Sequence, residues 1–580
     1  MPRKTVLSLA LIAALAACTP RDGQQAATEA SAADPAQATA TASTHAFKDA
    51  IDEADFAEHV KQLASDEFGG RAPGTSGEEK TVEYIKAQFA RIGLQPGNGS
   101  DWFQPVAMVE TTADESATLN LKVGGGEQVL KFGDDMVIGT RTGQPQVSIK
   151  DSPLVFVGYG VDAPEQDWND YAGLDLKGKT AVMLVNDPGF HAKDAKLFDG
   201  ERMTYYGRWT YKFEEAARKG ATGALIIHDT EGASYGWDVV KNSWSGPQYD
   251  LPAKDDPAPR VPAQGWISGA AADALFKAAG QDLAKLRAAA NKRGFKPVPL
   301  DASVSLDLKS TTAEKTSRNV IGLLPGSESP DEAIVYMAHW DHLGTHEGET
   351  GDNIYNGAVD NATGVAGILE IAEAMRKAPT PPKRSVLFLA VTLEESGLLG
   401  SKYYVAHPVI PLDKTVAVVN LDAMAPIGKA RDITVVGKGS SELEDLLKPV
   451  LDAQTRTIAG ESNTAAGYYF RSDHFNFAKA GVPALYLDSG NDLLDGGSAA
   501  GDAAGKDYTT NRYHKAGDQY DVATWKLDGI IQDLEVAYAI GDTLANGGQW
   551  PNWYEGNPFK AARDALRPAG NAPTAAPAAE

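Results

Sequence analysis

The chain of 580 residues contains one cysteine, Cys18. A lone thiol excludes an intrachain disulfide framework and any cluster of thiolates around zinc. Basic residues are also scarce. There are 54 Lys and Arg against 78 Asp and Glu, a formal net charge of −24. A chain of that sign repels phosphate, so nucleic acid is not an expected partner. No run approaches the roughly 18 continuous apolar residues that predict a membrane-spanning helix. No Gly-x-Ser-x-Gly nucleophile elbow is expected, and so no serine hydrolase. What the chain does hold is a large acidic surplus and ten histidines, enough for a metal site built on imidazole and carboxylate.

Arg3 and Lys4 open the chain, and an apolar run follows from Val6 to Ala17. At about a dozen residues it suits a signal-peptide core and is too short to span a bilayer. It ends Leu15-Ala16-Ala17-Cys18. Small residues before a cysteine resemble a bacterial lipoprotein signal, in which cleavage leaves Cys18 as the lipidated first residue. That resemblance implies a lipid anchor in the bacterial cell envelope, facing the periplasm. Stable anchoring takes more than one acyl chain. Residues 19–45 are rich in Ala, Thr, Ser and Gln and read as a disordered tether. Leu566 to Glu580 is a similar Ala/Pro-rich tail.

Between these tails, Val82, Ile85, Phe89 and Ile92 recur at helical steps, and Gly93 and Pro96 end the helix. Asp66 to Gly77, with Gly69-Gly70-Arg71-Ala72-Pro73-Gly74, predicts a loop. Residues 145–310 differ in style. Short β-rich runs at 154–157, 180–185 and 224–227 are separated by helix-like stretches such as 213–219. This segment reads as an inserted domain. From Thr316 strand and helix alternate, with buried-strand runs at 333–338, 385–393, 416–421, 433–436 and 484–487. Val365, Ile368, Leu369, Ala372 and Met375 mark one face of the helix after the first run. Alternation of this kind predicts an α/β layered domain around a largely parallel sheet. In such sheets ligands bind beyond the carboxyl ends of the strands.

Those ends carry metal-ligand residue types. The first run ends at His339-Trp340-Asp341, the second at Thr392-Leu393-Glu394-Glu395, and the third at Asn420-Leu421-Asp422. Val359-Asp360-Asn361 stands just before the helix. Any one of these alone is an ordinary cap or rim residue. A parallel sheet would bring them together. Zinc accepts imidazole nitrogen and carboxylate oxygen. Two metals about 3.5–4 Å apart need a carboxylate that spans them, and another carboxylate must take a proton from water. Adjacent Glu394 and Glu395 suit such a division, because neighbours at a strand end point differently.

This set resembles the co-catalytic di-zinc exopeptidase family, which includes bacterial leucyl aminopeptidases and glutamate carboxypeptidase II. The resemblance implies a three-layer α/β/α sandwich with a mixed, largely parallel sheet, and two Zn2+ per chain. It implies His339, Asp360, Glu395 and Asp422 as ligands, with Asp360 shared between the metals. It implies Glu394 as general base and Asp341 as the residue that orients the site. Two histidines compete for the last place: His474 in Ser472-Asp473-His474, and His514 in Asn511-Arg512-Tyr513-His514-Lys515. The family puts this ligand in a loop before the last helix, which favours His514. Ser472, Asp473 and His474 then belong near the substrate pocket. Tyr468 and Tyr469 lie where a family tyrosine helps stabilise an oxyanion. Relatives often hold the bond after the shared aspartate in the cis form, so Asp360–Asn361 is expected cis. His342 and His346 read as solvated loop residues.

The inserted segment resembles a protease-associated domain, through Phe156-Val157-Gly158-Tyr159-Gly160, Asp175-Leu176-Lys177-Gly178-Lys179 and the stretch from Ala216 to Ile227. Arg208 and Trp209 are its candidates for facing the cleft. The expected partition is a signal peptide over 1–17 and a tether over 18–45. A catalytic domain in two parts, 46–144 and 311–550, surrounds the 145–310 insert, and a C-terminal segment covers 551–580. The implied partners are a peptide substrate and a membrane, reached through lipid on Cys18. The implied reaction is removal of N-terminal residues from peptides. A carboxypeptidase or dipeptidase on the same site is the alternative. A single-zinc glutaminyl cyclase and a metal-free binding module rank lower, because every ligand position is filled.

Overall fold

The computed structural model describes residues 45–346 and 350–567. Cys18, the apolar run before it, the tether and the end of the tail lie outside the described residues.

Strand Ser329–His339 sits between Arg384–Val391 and Thr415–Leu421, parallel to both. Ala484–Asp488 adds in parallel beside Thr415–Leu421. Asp432–Val436 pairs antiparallel with Ala484–Asp488, and Thr457–Gly460 closes that side. On the other side Val320 to Leu324 pairs antiparallel with Arg384–Val391, with Gln95–Pro96 outside it, while Phe103–Ala113 pairs with residues 310–320 further back along the same strand. The sheet is mixed and largely parallel. Every residue of Arg384–Val391 and of Thr415–Leu421 is buried. Both faces are covered, which is why these strands read as continuous apolar runs.

Side chains alternate between two cores, as strand geometry requires. Ile334 and Tyr336 face helices Thr363–Lys377, Asp528–Asn546, Glu53–Leu63 and Ser76–Ile92, with Phe56, Phe89, Leu369 and Ile540. Val335 and Met337 face Tyr404 and Phe477 on helices Leu399–Ala406 and His474–Lys479. Helices therefore cover both faces. Helix Ser76–Ile92 starts where Thr75 accepts the Gly77 N–H, and it ends at a left-handed Gly93.

Strand Val298–Leu324 crosses from this sheet into a second one. Its first half pairs with Thr118–Val123 and Gln146–Phe156. Gln146–Phe156, Thr180–Leu184, Gly223–Ile227 and Ala263–Ile267 follow as parallel neighbours. Met136–Gly139 closes the far edge. This sheet has its own cores, around Phe156, Leu225 and Phe276 on one face and Phe213, Ile226 and Trp266 on the other. It takes in strands from Thr118 onward, ahead of residue 145. The hairpin formed by Thr118–Val123 and Gly126–Lys131 exposes every second residue of its first strand. Nothing in that alternation says which sheet it joins. No helix among the described residues is long and apolar enough to cross a membrane.

Candidate metal centre

Three parallel strands end side by side, and their last residues turn toward one another. His339 Nε2 lies 3.2 Å from Asp360 Oδ1 and 3.2 Å from Asp422 Oδ1. Glu394 Oε2 is 4.0 Å from the same nitrogen. The other oxygen of Asp360 lies 3.2 Å from His514 Nε2, which in turn is 3.1 Å from Glu395 Oε2. Asp360 thus stands between two groups, one with His339, Asp422 and Glu394, the other with His514 and Glu395.

Hydrogen bonding tests what such a cluster could hold. His339 Nδ1 meets the Asp341 carbonyl at 3.1 Å, and a carbonyl can only accept. The Nδ1 atom is therefore the donor, and in the neutral ring Nε2 presents a lone pair to two carboxylate oxygens. A cation between them turns that repulsion into coordination. The donor set of imidazole nitrogen and carboxylate oxygen is the set zinc takes. The ligand atoms of His339, Glu394 and Asp422, and those of His342, Asp360 and Glu395, each lie within 4.8 Å of one another. The residues present fit zinc.

The surrounding structure fixes these side chains. Asp341 is fully buried. It accepts the Glu394 N–H at 3.1 Å and the Glu395 N–H at 3.4 Å. Asp518, also fully buried, accepts the Val359 and Asp360 N–H groups at 3.0 Å each. Asn361 donates to the Leu421 carbonyl and accepts from Gly364 and Ala423. Gly364 permits this close approach, since a Cβ there would meet the Leu421 carbonyl oxygen at 2.3 Å. The Asp66–Gly77 segment is not a plain loop: it opens with a 3-10 helix, Asp66–Arg71, and runs into the helix that starts at Ser76. Arg71, at the end of the 3-10 turn, is buried and donates to the carbonyls of Leu63, Trp340, Asn356 and Gly357. It ties the His339 loop to the Asp360 loop. Leu393, Ala423 and His514 hold left-handed backbone conformations. Each is a candidate ligand or stands beside one, where such strain concentrates. The Asp360–Asn361 bond is cis, as expected.

The two adjacent glutamates are driven apart in acidity. Burial pushes the Glu394 carboxyl well above the ordinary range, against the pull of His339, and nearby Glu395, Asp422 and Asp473 add to the rise. Burial acts upward on Glu395 too, but His514 and His342 hold it down to about 2. Burial likewise opposes Asp360, yet His339 and His514, when protonated in place of a metal, hold it well below the usual range. Paired carboxyls separated in this way mark acid–base roles.

The other expected residues divide. Ser472 donates its hydroxyl to Asp422, and Asp473 accepts from Ser401 at 2.5 Å. His474 is fully buried between Tyr469 and Tyr486, with both ring nitrogens unpartnered, and burial lowers its pKa to about 3. Tyr469 is buried in a small apolar cluster with Phe475 and Trp553, whereas Tyr468 is exposed. Trp209 packs on Phe213 and Trp244 in the second-sheet region, at ring distances of 6.0 and 6.2 Å.

Two expectations are corrected. His342 is not solvated. It is 1% exposed, and its Nδ1 lies 2.7 Å from Glu395 Oε1. His346 stacks on Tyr355 at 3.9 Å and is half-buried. Loop position alone suggested solvent, but the loop folds back over the centre. A Gly-x-Ser-x-Gly spacing does occur, at Gly232 to Gly236. Its Ser234 hydroxyl donates to the Ala233 carbonyl at 2.6 Å and meets no histidine among the described residues. The buried roles of Arg71, His342 and Asp518 leave no mark in local spacing. Tyr513 stacks on His514 at 3.9 Å, and only its adjacency hints at that.

Residues 319–539 match the model of Peptidase family M28. The matched stretch contains His339, Asp341, Asp360, Glu394, Glu395, Asp422 and His514. Among curated proteins, the mouse Aminopeptidase NAALADL1 is 27% identical over 184 residues, which is 30% of this chain and 22% of that protein. The chain thus spans under a quarter of this mouse relative. The "Probable lipoprotein aminopeptidase LpqL" of Mycobacterium tuberculosis is 25% identical over 501 residues, 83% of this chain and 82% of its own length. Among solved structures, the aminopeptidase from Aneurinibacillus sp. strain AM-1 has a TM-score of 0.47 at 20% identity, covering 86% of this chain and 95% of its own.

Proposed function

We propose that the protein is a zinc-dependent exopeptidase that removes N-terminal residues from peptides. The observation that carries this reading is the placement of Asp360, whose two oxygens face His339 and His514 at 3.2 Å each. His339, Asp422 and Asp360 form one zinc site, and His514, Glu395 and Asp360 form the other. Zinc held there polarises a peptide carbonyl and makes a neighbouring water acidic. The M28 match and the names of the similar aminopeptidases support the same class.

Glu394 is the general base. Its carboxylate accepts a proton from the attacking water and returns it to the leaving amine. Asp341 holds the Glu394 and Glu395 backbones and, through its own carbonyl, the His339 ring. A tyrosine from the 468–469 pair or a backbone N–H stabilises the oxyanion.

The organisation follows from the same reading. The second-sheet region, which begins at the Thr118 hairpin and takes in the expected 145–310 segment, forms a protease-associated insert within a catalytic domain, a reading supported by the separate cores of that sheet. The basic start, the apolar run and Cys18 make a lipoprotein signal, with the enzyme tethered to the envelope and facing the periplasm.

The test pairs metal analysis with two substrates. The purified protein is expected to hold two zinc ions per chain and to lose activity to chelators. It is expected to cleave a free-amino peptide and to spare the amino-blocked form of the same sequence. Equal cleavage of both peptides would end the aminopeptidase reading. Absence of zinc together with chelator-resistant cleavage would end the metallopeptidase reading.

A further inference from the structure

Asn319 is a polar side chain on a face otherwise given to apolar ones. It is fully buried, as is Ser317 on the same side of strand Val298–Leu324. Two residues on, Ile321 packs with Val335, Leu389 and Tyr404 in one of the two cores of the sheet. A primary amide in such a place costs stability unless its hydrogen-bonding groups are met.

They are met by one loop and one neighbour. Asn319 Oδ1 accepts the Thr392 N–H at 3.1 Å. Its Nδ2 donates to the Gly400 carbonyl at 3.0 Å and to Gln104 Oε1 at 3.0 Å. A backbone N–H only donates and a carbonyl only accepts, so the orientation of the amide is fixed. Gln104, opposite Asn319 on strand Phe103–Ala113, donates in turn to the His407 carbonyl at 2.8 Å. The Ser317 and Thr392 hydroxyls meet at 2.6 Å.

Thr392 and Gly400 are the two ends of the loop that carries Glu394 and Glu395. The antiparallel ladder stops at Val320 opposite Ala390, and the Asn319 side chain takes over the bonding of the departing strand. The loop closes on itself, with the Gly400 N–H on the Thr392 carbonyl and the Leu399 N–H on the Leu393 carbonyl, both at 3.0 Å. Leu393 and Leu398 bracket the glutamates in left-handed conformations, with φ of 58° and 62°. Such strain persists only where the surroundings over-determine it. The neck has no slack, since a Cβ on Gly400 would stand 2.6 Å from Asn319 Oδ1. Asp341 holds the loop further out, at the Glu394 and Glu395 N–H groups. Neck and tip are thus gripped by different side chains.

We infer that Asn319 is a positioning residue for the Glu394 carboxylate, acting through the neck of its loop, with Gln104 as the support that keeps the amide turned. The inference rests on the peptidase reading for the chemistry of Glu394 and deepens it.

A double-mutant cycle tests it. Asn319→Leu has a similar branched shape and makes none of the three bonds. In the zinc-loaded protein it is expected to lower kcat on a leucyl peptide by about 10²-fold, the cost of misplacing a reacting group by about 1 Å, with KM and zinc content close to the parent's. In the Glu394→Gln background the same substitution is expected to cost at most about twofold, because the group it positions is gone. A purely structural role would lower both backgrounds alike, so equal losses overturn the inference. A parent-like kcat in Asn319→Leu overturns it too. Gln104→Leu leaves the two loop bonds and removes only their support. It carries the same cycle, with a smaller loss, should Asn319→Leu fail to fold. Hydrogen exchange on the purified proteins requires no turnover. The peptide spanning 392–400 is expected to exchange about tenfold faster in Asn319→Leu or Gln104→Leu than in wild type, with strand Ser329–His339 unchanged. Unchanged exchange in both variants overturns the hold on the loop, whatever the chemistry of Glu394. Zinc-loaded wild type that cleaves nothing ends the peptidase reading and the role of Asn319 toward a base, while faster exchange would still assign Asn319 to the loop.

Discussion

Asp341 accepts the backbone N–H of Glu394 at 3.1 Å, across from the neighbouring strand. This bond sets the direction in which the Glu394 side chain leaves its strand end, close to the His339 ring but outside its shortest contacts. On the proposed reading Glu394 handles a proton while its neighbour Glu395 would hold metal. Glu394→Gln is expected to keep both zinc ions and to lose activity by about 10²–10⁴-fold, the usual contribution of a positioned acid or base. Zinc content by elemental analysis and kcat on a leucyl peptide check it. Turnover equal to the parent would remove Glu394 from that role.

The same aspartate holds two adjacent backbones and, through its carbonyl, the His339 ring. Asp341→Asn offers an amide N–H where one of those N–H groups now finds oxygen. The turn should relax and the ring lose its fixed orientation. Zinc affinity is expected to fall by about 10–100-fold, the cost seen when a partner of a ligand is removed. Competition against a calibrated chelator measures this. Affinity unchanged within error would mean that Asp341 does not orient the site.

His342 holds Glu395 Oε1 at 2.7 Å while His514 holds Oε2 at 3.1 Å. Removing one grip should affect the two zinc positions unequally. In His342→Ala the zinc shared by Glu395 and His514 is expected to weaken by about 10–100-fold. The zinc at His339 and Asp422 should stay. A two-step zinc titration distinguishes the sites, and equal weakening of both steps would contradict the prediction.

Much of this centre was legible because parallel strands impose convergence. Once the strand ends at His339, Glu394 and Asp422 are read, the sheet must bring them together, and the glycine-flanked Asp360 loop has one place to go. The continuous apolar runs of Arg384–Val391 and Thr415–Leu421 likewise announce a doubly covered sheet. What could not be read is burial of loop and turn residues from distant parts of the chain. Arg71 ends a 3-10 turn 269 positions from Trp340, whose carbonyl it binds. His342 sits in a polar loop and still ends 1% exposed. The hairpin starting at Thr118 shows the alternation of any half-covered strand, so its membership in the second sheet depends on the long strand Val298–Leu324.

Away from the centre, Glu370 offers a test by pH. It is 1% exposed and accepts the Asp52 N–H at 2.8 Å through Oε2. Its Oε1 faces His59 Nε2 at 3.7 Å, and neither atom has a hydrogen-bond partner. Burial pushes Glu370 up to about 8, with Asp55, Glu373 and Asp52 adding to the rise, and burial pushes His59 down to about 3. Both are neutral near pH 6. Between the ordinary glutamate value of about 4.3 and the folded value, the folded state binds a proton that the unfolded state lacks. Rising pH therefore removes stability through Glu370. His59 acts oppositely up to its ordinary value of about 6.5, because there the unfolded state holds the extra proton. The two effects offset between about pH 4.3 and 6.5, and from about 6.5 to 8 only the Glu370 loss remains. Glu370→Gln deletes the glutamate titration and leaves that of His59. The stability of wild type relative to this variant is thus expected to fall steadily as pH rises from about 4.3 to 8 and to level off above. Urea unfolding of both proteins at pH 5, 6.5, 8 and 9 measures the difference. A constant difference across that range would show that Glu370 titrates as an ordinary exposed carboxyl and that the pair is not held neutral by burial.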